Sequence, residues 1–410
     1  MSAIRLSCAV NNYHWGKHGL ASKAAQFAAT NPDVVIDEEQ TYAELWMGTH
    51  PNGPSMVYGT DTQLGDVISE NADVALGASV SQRYGGSLPF LFKVLSIEKA
   101  LSIQAHPDKQ LAQQLHAARP NDYKDGNHKP EMSIALTDFI ALSGFRPLDE
   151  IAEFLTAYPE FHALVSHAAP EFRRAAAEGT DGERREALKA LFAELMMARD
   201  EDVRAQVNAL VTRIGEPSCN GASELDVSEP ALVRRLNGEY PGDVGIFCVF
   251  MLNVLRLRAG DAFYMGPNDP HAYIYGDCVE CMATSDNVVR AGLTPKQRDV
   301  RVLVDMLTYD YGAPSHKLLQ PQPISSVHAV YNPPIDEFSV VRSSLNGGER
   351  ADLEAVDGPR MLLVVEGTGT LCVGPDIMPL GPGFVYFVCP NTSCTLTADS
   401  ALVAYTAQCE

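Results

Sequence analysis

Basic residues are scarce in this chain. It carries 31 Lys and Arg against 52 Asp and Glu, a net charge of −21 over 410 residues. Sequence-independent nucleic-acid binding and adhesion to anionic membranes both call for a basic surface, so neither is an expected partner. Long apolar runs are missing too: none approaches the ~20 residues of a membrane-spanning helix. The first ten residues lack the basic segment and apolar core of a secretory signal. Cysteine is thin and scattered. Nine of them, an odd number without a dense framework, suit reduced thiols and a cytoplasmic protein. Cys278 and Cys281 form a C-x-x-C that reads as two packed thiols on a strand, because no second such pair completes a four-thiolate zinc site. There is no glycine-rich Walker loop to cradle a nucleotide phosphate. An anionic substrate would therefore need a local basic pocket that overcomes the global field.

What is present is room and pattern. The length allows two or three domains, and 46% hydrophobic with 20% charged residues is ordinary for a globular protein. Residues 1–146 read as strands and turns. One short helix is expected after Asp108, a good N-cap, burying Leu111 and Leu115, and a polar loop follows over 119–130. From 148 to 214, Ala, Leu, Glu and Arg dominate, and Leu188, Leu191, Leu195 and Met196 recur at helical spacing. That stretch predicts a helical insertion of about four helices, broken near Gly179 and Gly182. β-pattern returns near Gly245, interrupted by a helix expected over 294–307 with Pro295 at its first position.

The second half contains an internal repeat. Leu257, Gly260, Tyr264, Pro267 and Asn268 align without gaps on Leu380, Gly383, Phe387, Pro390 and Asn391. Strand, glycine turn, aromatic strand and Pro-Asn turn follow one another as in jelly-roll or cupin barrels. The fold class expected is mainly β: two cupin-like β-barrel domains with an α-helical insertion. The first barrel takes residues 1–146 plus 241–320, the insertion 147–240, and the second barrel 321–410. The copies differ chemically. Three residues past Asn268 stands His271, whereas Cys394 occupies that place in the second copy, so only the first barrel is expected to hold a metal.

The metal reading starts at Gln104 and His106. The run 89–106 is rich in Leu, Val, Ile and Phe and reads as a strand, on which Gln104 and His106 share a face with Ser102. His271 follows a turn fixed by proline on both sides of Asn268-Asp269 and opens the next strand. Glu131, after Lys129-Pro130, opens another. One amide oxygen, two imidazoles and a carboxylate suit zinc, and leave room for manganese, iron or cobalt. The alternative is that Gln104 and Glu131 merely hydrogen-bond inside a barrel.

At this point the chain resembles the type I phosphomannose isomerases. Three segments carry the likeness: LSIQAHPDK (101–109), YKDGNHKPEM (123–132), and the run from Gly260 through PHAY (270–273), DCVECM (277–282) and SDN (285–287) to RAGLTPK (290–296). YHWGK (13–17), ELWMG (44–48) and GFRP (144–147) are shorter echoes. The resemblance implies a zinc enzyme, one Zn2+ per chain, that interconverts mannose 6-phosphate and fructose 6-phosphate and supplies mannose phosphates for GDP-mannose and glycan synthesis. It implies a monomer acting on a small sugar phosphate. By motif, the zinc ligands fall on Gln104, His106, Glu131 and His271, and the catalytic arginine on Arg290.

An aldose–ketose isomerase working through a cis-enediol needs a carbon base, an oxygen-proton shuttle and an electrophile. Arg290 stays charged and so serves to hold phosphate or stabilise enediolate charge. Lys296, Lys129 and Ser102 are candidates for phosphate or sugar hydroxyls, and Tyr273, sharing a face with His271, for the sugar. Glu280 and Asp286 are the candidate carbon bases, each of which could instead orient a ligand. His14 and Trp15 are candidate lining residues, with core packing the plainer role for Trp15. The competing functions are a cupin metalloenzyme on another substrate, including an oxygenase, and a non-catalytic sugar-binding protein with a structural metal.

Overall fold

The structure, a computed structural model, describes residues 2–215 and 225–410. It is built on an eleven-stranded, an eight-stranded and a four-stranded sheet, with six of the twelve α-helices among the described residues gathered in one stretch of chain, 148–239. The hub of the eleven-stranded sheet is strand His271–Ala283. Its second half pairs with Phe90–Ile97 on one side and Glu131–Ala135 on the other. Its first half pairs with Phe139–Phe145 and, at His271, with Ile103–Ala105. The two halves meet at Gly276, whose φ of 113° and whose absent Cβ, which would lie 2.5 Å from the Asp138 carbonyl oxygen, let the strand bend there.

The β-rich architecture with a helical insertion is as the sequence predicts, but neither sheet closes into a barrel. The eleven-stranded path ends at Leu318–Leu319 and Ala9–Asn11, which do not pair with each other. The repeat is reproduced in the backbone. Gly260 and Gly383 have φ of 91° and 85°, Asn268 and Asn391 have φ of 63° and 55°, and the next strands begin at His271 and Cys394.

The eight-stranded sheet serves two cores. Along Arg360–Glu366, Leu362 and Val364 face the four-stranded sheet and its Leu371 and Leu396. Met361, Leu363 and Val365 face the opposite way, into a core shared with Met132, Ile134 and Val279 of the eleven-stranded sheet. This period-2 alternation joins the two β units back to back. The first strand, Ala3–Ser7, pairs with Val385–Val388 and so lies in the eight-stranded sheet.

Three expectations need correction. The run 89–106 is two strands, Phe90–Ile97 and Ile103–Ala105, because the backbone N–H groups of Glu98 and Lys99 turn aside to the Trp15 carbonyl. Among the described residues, 148–214 forms five helices rather than about four, since Pro159 starts a short extra one, Pro159–Leu164. Gly179 ends Ala169–Glu178 as expected, but Gly182 lies within Asp181–Met196, which Thr180 and Glu183 cap reciprocally. The helix expected from 294 starts only at Val300, capped by Asp299. The Asp243 carboxylate takes the N–H groups of Leu293 and Thr294 and holds the preceding segment, Pro295 included, out of the helix. The helix after Asp108 forms as read, Lys109–Ala118.

Candidate active site

Three elements bring the metal-capable side chains together. His106 lies just past Ile103–Ala105, Glu131 opens its strand, and His271 opens the hub strand. The loops carrying the two histidines are tied to each other. Asn268 donates its N–H to the His106 carbonyl at 2.7 Å, and its amide exchanges hydrogen bonds with Asp108 at 2.9 and 3.1 Å.

The two imidazoles are held in one tautomer. His106 Nδ1 lies 2.7 Å from the Asn287 carbonyl oxygen and His271 Nδ1 lies 3.1 Å from that of Asp269. A carbonyl only accepts, so each Nδ1 carries a proton, and in the neutral ring each Nε2 presents a lone pair. Those Nε2 atoms lie 3.4 and 3.2 Å from Glu131 Oε2, yet neither has a hydrogen-bond partner. All three side chains are 2% exposed or less. Two buried lone pairs facing a carboxylate, with ligand atoms within 4.8 Å of one another, are repulsive unless a cation sits among them. Gln104 stands in register opposite both His271 and Arg290 and lines the same cavity as Glu131. The donor set fits zinc.

Electrostatics suit that arrangement. Burial pushes the His106 imidazole down to about 4, against the attraction of Glu131, so it is neutral near pH 7. Burial alone would raise the Glu131 carboxyl; Lys129, its Nζ 3.0 Å away, more than offsets this and holds it well below the usual range.

A cavity of about 330 Å³ opens beside these groups, within the ~300–1,000 Å³ typical of small-molecule sites. Ser102, Gln104, Lys129, Glu131, Tyr273, Glu280, Arg290 and Lys296 all line it, as do His14 and Trp15. Trp15 also packs on the core, as its plainer role requires. Asp286 is not brought there; its half-exposed carboxylate pairs with His50 Nε2 at 3.2 Å. Glu280 is buried, accepts a 2.7 Å hydrogen bond from Tyr273 Oη and lies 3.1 Å from Lys93 Nζ. Burial raises its pKa, against the pull of Lys93. Arg290 is partly buried, and among the described residues its guanidinium has neither an ion pair nor a hydrogen bond; burial lowers its pKa. Lys93 and Glu44, 3.8 Å apart, also line the cavity and were not singled out in the sequence. Their signal was a charge inside otherwise apolar strands, FLFKVLSI and ELWM.

A β-sheet scaffold holding a buried His/Glu/His cradle beside a cavity with a carboxylate and an unpaired guanidinium defines a cupin-like metal-binding enzyme. Comparison with known proteins narrows the class. Models of the type I phosphomannose isomerase match in three parts: the catalytic domain over residues 3–148, the helical insertion domain over 163–252 and the C-terminal part over 329–376. The mannose-6-phosphate isomerase of Aspergillus fumigatus is 42% identical, over 99% of this chain and 96% of its own. That of Saccharomyces cerevisiae is 43% identical, over 98% of each. A structure of mannose 6-phosphate isomerase bound with zinc and yttrium superposes with a TM-score of 0.82 at 30% identity, covering 99% of both chains. The chain belongs to the type I phosphomannose isomerase family.

Proposed function

We propose that this protein interconverts mannose 6-phosphate and fructose 6-phosphate in the cavity beside His106, Glu131 and His271, with one zinc ion per chain held by these three residues and Gln104. The observation that carries the reading is the pair of buried, unpartnered Nε2 atoms converging on the Glu131 carboxylate. Zinc bound there would polarise the sugar carbonyl and its neighbouring hydroxyl as a Lewis acid.

The chain's own groups supply the rest. Isomerisation moves a proton between C1 and C2, and Glu280 is the carboxylate placed to carry it. Tyr273 and Lys93 anchor its two oxygens, so the carboxylate is oriented before substrate arrives. Asp286, engaged with His50 and not lining the cavity, is the weaker candidate. The unpaired Arg290 calls for an anion, and either the substrate phosphate or the enediolate oxygen supplies one. Lys296, exposed at the cavity edge, and Ser102 are placed for phosphate or hydroxyl contacts. Lys129 keeps Glu131 ionised.

A second cavity of about 810 Å³ adjoins the first through His14, Tyr240 and Lys296 and adds Lys99, Arg204 and Arg298 to its walls. Asp200, Glu239 and Asp243 line that cavity too, and Arg298 lies 3.7 Å from Asp200, so the cations that serve an anionic substrate on a chain of net charge −21 are those of the first cavity, Arg290 and Lys296 among them. The same reading takes the protein as a cytoplasmic monomer without nucleic-acid or membrane partners, supplying mannose phosphates for GDP-mannose and glycan synthesis. Among the described residues no helix is long and apolar enough to cross a membrane. Metal analysis with a coupled assay for fructose 6-phosphate tests the function: zinc-loaded protein without interconversion would sink it.

A further inference from the structure

We propose that Asp125 is a positioning residue for the metal ligand His106: it clamps the turn at residues 285–287, whose Asn287 carbonyl fixes the imidazole. The inference rests on the zinc site proposed above. His106 Nδ1 donates to the Asn287 carbonyl at 2.7 Å. Nothing in the eleven-stranded sheet holds that carbonyl, because residues 285–287 lie between the strands His271–Ala283 and Val289–Gly292. Asp125, in the polar loop before Glu131, instead holds the turn that carries it. Its Oδ1 accepts from Ser285 Oγ at 2.9 Å, from the Asn127 N–H at 2.9 Å and from Asn287 Nδ2 at 3.2 Å. Its Oδ2 accepts from the Asp286 N–H at 2.8 Å. Asn287 Nδ2 also donates to the Asp125 and Asn127 carbonyls, at 2.7 and 3.1 Å, and Ser285 and Asn287 are 3% and 1% exposed.

Four donors on one carboxylate make the side chain's charge and its lack of any donor essential. An asparagine in its place must aim an NH2 either at the Asp286 N–H or at the three donors on the other side. The turn then shifts, and the ring of His106 loses the acceptor that fixes its tautomer and direction. Outer partners of this kind are worth about 10- to 100-fold in metal affinity.

The test is zinc affinity of the metal-free full chain, read by competition with a chromophoric chelator, together with the 15N signature of the His106 tautomer. Asp125→Asn should bind zinc about 10- to 100-fold more weakly and show a mixed tautomer, and Ser285→Ala should show a smaller loss in the same direction. A lowered melting temperature with zinc affinity and tautomer unchanged would overturn the positioning role. Should Asp125→Asn not fold, Ser285→Ala decides: unchanged affinity and tautomer overturn the proposal. Failure of the wild-type chain to bind zinc would bring down the metal site itself, an outcome distinct from wild-type binding that the variants leave intact.

Discussion

Replacing Lys93 by methionine removes the cation that lies between two buried carboxylates. Lys93 is 7% exposed, and its Nζ lies 3.1 Å from Glu280 and 3.8 Å from Glu44. At 3.1 Å and an effective dielectric of about 20, the attraction to Glu280 is about 5 kcal/mol. Much of it offsets the desolvation of both charges, and truncating one partner of a buried pair costs ~3–5 kcal/mol. The loss depends on pH. Burial already raises the Glu280 pKa against the pull of Lys93, and without Lys93 it rises further. A carboxyl whose folded pKa is raised favours folding while protonated. The variant's deficit is therefore smallest below the unfolded value of about 4.3 and grows as pH rises through the folded pKa. Equilibrium urea unfolding of wild type and variant at about pH 5 and about pH 8 reads both effects. A deficit under ~1 kcal/mol, or one equal at the two pH values, refutes the account. Activity gives a second reading: Glu280 must be ionised to act as base, so the acid limb of kcat moves to higher pH in the variant. An unmoved acid limb removes Glu280 from that role.

His271→Ala should lose metal and activity together; full metal content with normal turnover would refute the ligand assignment. Arg290→Ala should keep zinc and fold while kcat drops about 100- to 1,000-fold, as for loss of a donor to a developing oxyanion. If Arg290 only grips the phosphate, KM rises instead and kcat holds. Asn391, at φ 55°, should tolerate glycine but lose ~1 kcal/mol as alanine, measured by urea unfolding, because only the left-handed conformation closes that turn.

The parts legible in the sequence were those whose signal is local. The turn Gly266-Pro-Asn-Asp-Pro270 announces its own geometry, and His271 opens a strand behind it as the prolines require. Gln104 and His106 could be singled out because they share a face in an extended run, and Glu131 because it opens a strand; the structure gathers His106, Glu131 and His271, with Gln104 lining the cavity beside them. What the chain did not announce depends on packing between distant segments. The break at residues 98–102 arises from the Trp15 carbonyl, some eighty positions upstream, and the late start of Val300–Met306 from Asp243. Asp286 and Glu280, six residues apart, read alike as candidate bases. Only the hub strand's pairing separates them, Glu280 opposite Lys93 and Ser133 and Asp286 beyond the strand's end.

The repeat puts a metal-capable side chain behind one of its two turns and a packed thiol behind the other. Both copies keep the left-handed glycine and asparagine that close their turns, so both present a side chain at the start of the next strand. In the first copy that position is His271, with Glu131 and Gln104 on neighbouring strands. In the second it is Cys394, a buried thiol whose pKa burial raises, beside Arg360 Nη2 at 3.6 Å. A thiol held protonated and facing a guanidinium is a poor cation ligand. The space a metal would need is filled as well: Leu362, Val364, Leu371 and Leu396 pack the interval between the eight- and four-stranded sheets. The eight-stranded sheet then spends its opposite face against Met132 and Ile134, on the strand that Glu131 opens. The second copy thus packs against the strand that Glu131 opens, and a turn geometry shared by both presents an imidazole in one copy and a buried thiol in the other.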